Sequence, residues 1–168
     1  MNVMKNIRVE KITLNIGAGK DQAKLEKGLK LLKLITGLEP VKTHTKKRIP
    51  AWGLRPGLPI GCKLTLRKGK AVELLKRLLD AKSNKLSEVQ FDNNGNLAFG
   101  IHEYIDISGI NYDPGIGIMG FEVCISLERS GFRVKKRKIK KKIGKNHKIS
   151  KQEAMDFMKN SFGVKIED

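Results

Sequence analysis

Between Lys42 and Lys70 the chain carries nine Lys and Arg residues and no Asp or Glu. Lys46, Lys47, Arg48 and Arg55 flank Trp52 and Leu54 there. Ammonium and guanidinium groups bind phosphate, and an indole offers a face on which a base or sugar can pack. Pro50, Pro56 and Pro59 with Gly53, Gly57 and Gly61 exclude both a helix and a regular strand across the middle of this stretch. A cationic loop with one large aromatic residue suits a polyanion and offers nothing for catalysis.

A second basic run, Arg129 to Lys151, holds twelve Lys and Arg and again no carboxylate. Within it the segment 129–148 contains Arg129, Arg133, Lys135, Lys136, Arg137 and Lys138. Of the net charge of +18, these two runs supply more than all, leaving fourteen basic against seventeen acidic residues elsewhere. Charge concentrated in this way is the footprint of a nucleic-acid or other polyanion partner. Like charges so densely placed repel, which predicts a poorly ordered or extended segment 129–148 until RNA contact sets it.

Other chemistries are poorly served. His44, His102, His147, Cys62 and Cys124 share no metal-ligand spacing, and the carboxylates form neither a triad nor a paired-acid site, so the reading is of no enzyme, no metal and no cofactor. Gly115-Ile-Gly117-Ile-Met-Gly120 matches a dinucleotide-binding pattern by letter. It lacks the strand before it, the helix after it and the acid about 20 residues on that the motif requires. The two cysteines fit a reduced, cytoplasmic setting. No apolar run approaches the roughly 18 residues of a membrane span, and no signal-peptide pattern opens the chain.

The elements that must position the basic groups follow from periodicity. Ile12, Leu14 and Ile16 alternate at strand period, with Ile7 and Val9 out of phase, which predicts a bulge or a late start near Glu10. A helix follows over 20–36, with a stripe of Leu25, Leu29, Leu32 and Ile35 widened by Leu31 and Leu34, and Gly37 as its cap. Ile60, Cys62, Leu64 and Leu66 alternate in the second strand of a hairpin that holds out the loop 43–59. A second helix is expected over 70–81, strands over 97–107 and 121–127, and a last helix after the capping box Ser150–Glu153, with an edge strand at 164–166. The pattern is α+β: an open antiparallel β-sheet with helices packed on one face and a long basic hairpin loop, in a single domain over 1–168. Lys11, Thr13 and Asn15 on one strand and Lys63, Thr65 and Arg67 on another then share the opposite face, as donors for phosphate, 2′-hydroxyl and base edges.

Three stretches in this order, Lys11-Ile-Thr-Leu-Asn-Ile-Gly17, Leu54-Arg-Pro-Gly-Leu-Pro-Ile-Gly-Cys-Lys-Leu-Thr-Leu-Arg67 and Phe91-Asp-Asn-Asn-Gly-Asn-Leu-Ala-Phe-Gly100, closely resemble the 5S-rRNA-binding family numbered five in the large-subunit ribosomal series. The resemblance runs from about Ile7 to Leu127, and the segment 129–148 with the Ser150 helix is similar to the archaeal and eukaryotic branch. It implies a structural protein of the central protuberance, bound to 5S rRNA and to large-subunit rRNA. It further implies contact with P-site tRNA through the loop 43–59 and a bridge to a small-subunit head protein. Asn15 matches the strand asparagine associated with 5S rRNA, and Pro56 replaces a glutamine frequent in bacterial members. Against this reading stand a general nucleic-acid-compacting protein, for which the net charge alone is adequate, and an RNA-modifying enzyme with an unrecognised site.

Overall fold

The computed structural model describes residues 2–167. Strands β1 (Ile7–Gly17), β2 (Val41–His44), β3 (Pro59–Arg67), β5 (Asn96–Ile101) and β6 (Phe121–Arg129) form a five-stranded antiparallel sheet in the order β2-β3-β1-β6-β5. Helices α1 (Gln22–Thr36), α2 (Gly69–Ala81), α3 (Arg133–Lys136) and α4 (Lys151–Phe162) complete an α+β fold. β4 (Lys85–Ser87) and β7 (Lys165–Glu167) pair in parallel as a separate two-stranded sheet. The chain divides into two compact units: Thr13–Leu66 with Gly100–Val123, and Arg67–Phe99 with the residues through Ile12 and from Cys124 onward.

In the unit built on Thr13–Leu66, alternation decides which side chains are buried. Leu14 and Ile16 on β1 and Cys62, Leu64 and Leu66 on β3 are buried, while the residues between them remain at least partly exposed. Asp21 caps α1 by accepting from the Lys24 amide, and Gly37 ends it in the left-handed conformation. The buried stripe of α1 is Leu25, Gly28, Leu31, Leu32 and Ile35; Leu29 is only half-buried and Leu34 is half exposed. A β-carbon on Gly28 would lie 3.1 Å from Cys62 Sγ and 3.2 Å from Ile16 Cγ2, so this glycine lets α1 settle closely on β1 and β3. The expected stripe is borne out at Leu25, Leu31, Leu32 and Ile35; counting leucines added Leu29 and Leu34 and passed over Gly28, which has no side chain to mark it. Burial beside the helix pushes the Cys62 thiol up to about 11, making it an inert packing group.

The expected strand over 97–107 stops at Ile101. Tyr104 is fully buried and accepts a hydrogen bond from the Asp113 amide at 2.9 Å, which draws the chain into a short 3-10 turn and leaves Ile105 partly exposed. Gly115–Gly120 lies in turns, the Gly115 amide donating to Asp113 Oδ1. Its geometry has no strand-to-helix junction of the kind a dinucleotide needs.

In the other unit, α2 buries Ala71, Leu74, Leu75, Leu78 and Leu79, while Val72 is half-buried. α4 starts at the reciprocal Ser150–Glu153 capping box and ends at left-handed Gly163. The tail expected as an edge strand instead lies alongside β4, tied by Lys85–Glu167 at 2.7 Å. β1 begins at Ile7 rather than late, and the regular burial alternation is lost over 7–11, where the phase of the sequence shifts.

One backbone approach is testable. β3 residue Gly61 pairs with Thr43, and a β-carbon there would sit 2.5 Å from the Ile16 carbonyl oxygen and 3.1 Å from Thr43 Oγ1. Gly61→Ala should destabilise the fold by about 1–3 kcal/mol, as overpacking against backbone does. Urea unfolding of the two proteins checks it, and equal midpoints would mean that the strands can separate freely there.

Candidate nucleic-acid interface

The residues joining β2 and β3 form a loop braced by its own backbone. Thr45 is buried at the loop base; its amide donates to Leu58 O at 2.9 Å, its hydroxyl donates to Arg55 O at 2.7 Å, and its carbonyl accepts from the Gly57 amide. Further out, Ile49 and Leu54 exchange amide–carbonyl bonds of 3.0 Å in both directions around the Pro50–Trp52 turn. Leu54, read with Trp52 as flanked by the loop cations, is thereby turned inward and only 6% exposed, whereas Trp52 on the turn is 66% exposed. Lys46, Lys47, Arg48 and Arg55 are all exposed, and among the described residues none forms an ion pair. Backbone hydrogen bonds hold the shape, so the four charges stay available to an outside anion.

On the same unit, β1 and β3 lie side by side and place Thr13, Asn15, Lys63 and Thr65 on the non-core phase of the two strands. Thr13 Oγ1 and Thr65 Oγ1 are 3.5 Å apart, Lys63 and Thr65 are exposed, and Asn15 is half-buried. Arg67, the last residue of β3, is exposed.

The basic segment 129–148 differs most from its sequence reading. Arg129 is 5% exposed: one terminal nitrogen donates to the Lys148 carbonyl at 2.9 Å and the other to Glu153 Oε1 at 2.7 Å. The segment expected to run extended is therefore closed at its base, first residue to last. Arg129, counted with the RNA-binding set, is a buried clamp. Glu153 Oε2 also accepts from the Ser150 amide. That backbone bond, with the Arg129 guanidinium overcoming the effect of burial, holds the Glu153 carboxyl below its ordinary range. Inside the loop, His147 Nε2 lies 2.8 Å from Ser130 O and its ring meets Phe132 edge-on at 5.7 Å.

Lys136 is also committed. Its ammonium lies 2.6 Å from Glu10 and 3.0 Å from Glu128, and Arg8 donates twice to the other Glu128 oxygen. Burial would raise the Glu128 carboxyl, but the hydrogen bonds from Lys136 and Arg8 outweigh it and hold the group low; burial would lower the Lys136 ammonium, but its carboxylate partners Glu10 and Glu128 outweigh it and hold that group above its ordinary value. Arg133, Lys135, Arg137 and Lys138 remain exposed. Lys11, Lys135 and Lys136 meet along a cleft of about 460 Å³ that Asn94, Asn96 and Phe132 also line. Sequence reading missed Glu10, Glu128 and Glu153 as the anchors; only Glu153 carried a signal, its place in the capping box. Among the described residues, no group of His, Cys, Asp or Glu is placed to hold a metal ion, and no helix is long and apolar enough to cross a membrane.

Comparison with known proteins gives a consistent result. The family model for ribosomal protein L5 matches residues 2–55, and the model for that family's C-terminus matches residues 59–157. The large ribosomal subunit protein uL5 of Sulfolobus acidocaldarius is 46% identical over 98% of this chain and 93% of its own length. The protein of the same name from Nanoarchaeum equitans is 47% identical over 97% of each chain, and that of Methanosphaera stadtmanae is 40% identical over 99% of this chain and all of its own.

The exposed and committed cations respond differently to neutralisation. Lys136→Met should lower stability by about 1 kcal/mol at pH 7, the scale of a half-exposed pair set in a network, whereas Lys135, Arg137 and Lys138 changed together to Gln should leave the thermal midpoint unmoved. Because the Glu128 carboxyl lies below its ordinary value of 4.5 in the folded state, its contribution is present above that pH and is lost as pH falls through the folded value. The gap between wild type and Lys136→Met should therefore close on acidification, as thermal melts at pH 7 and pH 3 will read. A gap that stays constant would remove the network from the account.

Proposed function

The chain belongs to the ribosomal protein L5 family, and from that premise we propose that it holds 5S rRNA and large-subunit rRNA in the central protuberance while its loop 43–59 reaches P-site tRNA. It is a structural constituent of the large subunit of the cytoplasmic ribosome and not an enzyme. In the fuller reading, Lys11, Thr13, Asn15, Lys63, Thr65 and Arg67 present donors to 5S rRNA. Arg133, Lys135, Arg137 and Lys138 neutralise rRNA phosphates, and the chain also helps bridge to a protein of the small-subunit head.

The observation that carries this reading is the division between cations that the fold consumes and cations that it leaves over. Arg129 and Lys136 are held by carboxylates. Lys46, Lys47, Arg48 and Arg55 surround an exposed Trp52 on a loop that needs no ligand to keep its shape. Phosphate contacts of this type release counterions and fix position, while amides and hydroxyls on the strands supply selectivity. A general compacting protein has no need of a braced projection, and an RNA-modifying enzyme needs a reactive cluster.

Two measurements test the assignments separately. Asn15→Ala should weaken 5S rRNA binding by about 1–3 kcal/mol if the amide reads a base edge; wild-type affinity in a folded variant removes the strand face. At the loop, Trp52→Ala combined with Arg48→Gln spares the buried Leu54 and the Thr45 brace. It should speed P-site tRNA dissociation from assembled ribosomes without changing 5S rRNA binding. Equal off-rates would remove the tRNA role.

A further inference from the structure

The closed loop 129–148 encloses a second cleft, of about 540 Å³, that the assignments above leave unused. Its walls combine two opposed chemistries. Phe132, Ile143 and Ile149 give it an apolar lining, while six lysines and no carboxylate border it. Ile149 is 1% exposed and is backed by the turn ending at Gly95, where a β-carbon would lie 2.8 Å from the Ile149 side chain. Asp92 fixes that turn by accepting from the Asn94 and Asn96 amides at 2.8 and 2.7 Å, and Asn94 itself stands at the cleft. The Lys141 amide donates to Val134 O across the loop. Lysines crowded round an apolar cavity repel one another, and only an anion with an apolar body satisfies both surfaces.

We propose that this cleft receives one unpaired nucleotide of ribosomal RNA, its base against Phe132 and its phosphates among the surrounding lysines. The proposal rests on the RNA-binding reading above and adds to it a site, a recognition mode and an aromatic residue. Four observations favour a nucleotide over a bare phosphate or a duplex. Pockets that enclose small organic groups span about 300–1,000 Å³, and this one lies within that range. A free phosphate would leave the partly exposed Phe132 and Ile143 facing water. A duplex presents only its phosphates and groove edges to such a rim, with its base faces stacked away from Phe132. The Asn94 side chain, the one uncharged polar group lining the cleft, is able both to donate to and to accept from a base edge.

The test uses the full chain with deproteinised 5S rRNA and large-subunit rRNA, each titrated separately at several salt concentrations. For whichever RNA wild type binds, Phe132→Leu keeps the apolar lining and removes the stacking ring. It should weaken binding about 5- to 150-fold, the range of one base–aromatic stack, with an unchanged salt slope. Phe132→Tyr should restore binding, and Lys141→Gln should flatten the slope of log K against log salt by about 0.7 to 0.9. Chemical probing should show an unpaired nucleotide protected by wild type and Phe132→Tyr and exposed with Phe132→Leu. If Phe132→Leu binds as tightly as wild type, or Phe132→Tyr is as weak as Phe132→Leu, the pocket is not a base site, although selective rRNA binding by wild type would still stand. Wild type that binds heparin as well as either rRNA would overturn both readings.

Discussion

A guanidinium taken out of water incurs a penalty of several kcal/mol unless acceptors replace its hydration. At Arg129 they come from the Lys148 carbonyl and from Glu153, with Nε alone left unmatched. The same Glu153 accepts from the Ser150 amide and so fixes the start of α4. One carboxylate thus joins the end of β6, the far end of the basic loop and the first turn of a helix. Without this clamp, only the Lys136 ion pairs and the bonds of His147 and Lys141 would hold 129–148 against the mutual repulsion of its lysines.

Other carboxylates follow the same logic. Glu10 and Glu128 hold Lys136, Glu88 holds Lys151, and Glu167 holds Lys85. Single exposed pairs contribute little to stability. Their greater effect is to cancel charge at the residues they hold and to leave the other cations of the loop uncancelled. The hairpin loop reaches the same end by another route, since Thr45 and the Ile49–Leu54 pair hold it with neutral hydrogen bonds. Four cations and an indole are therefore displayed with no carboxylate tied to them.

Most of the frame was legible in the sequence because it rests on local patterns. Alternation gave β1, β3 and β6, while Gly37 and the Ser150 box marked helix ends. What escaped depends on partners distant in sequence. Arg129 reads as one more cation until Glu153, 24 residues on, is brought to it. Leu54 reads as one more loop residue beside Trp52 until Ile49 pairs with it. The short strand Lys85–Ser87 has no periodicity of its own, and nothing local marked it as the partner of the strand expected at 164–166. In the site, the exposed charges of the hairpin loop were readable, but which lysines of 129–148 are committed was not.

We propose that RNA meets the cations the fold leaves over. A map of lysine and arginine crosslinks from this protein to RNA in intact large subunits tests it most directly. Crosslinks should arise from Lys46, Lys47 and Arg48, and from Lys135 and Lys138, with none from Arg129 or Lys136. Crosslinks concentrated instead on the exposed α1 lysines Lys24, Lys27 and Lys30, with the hairpin loop and the basic segment silent, would contradict it.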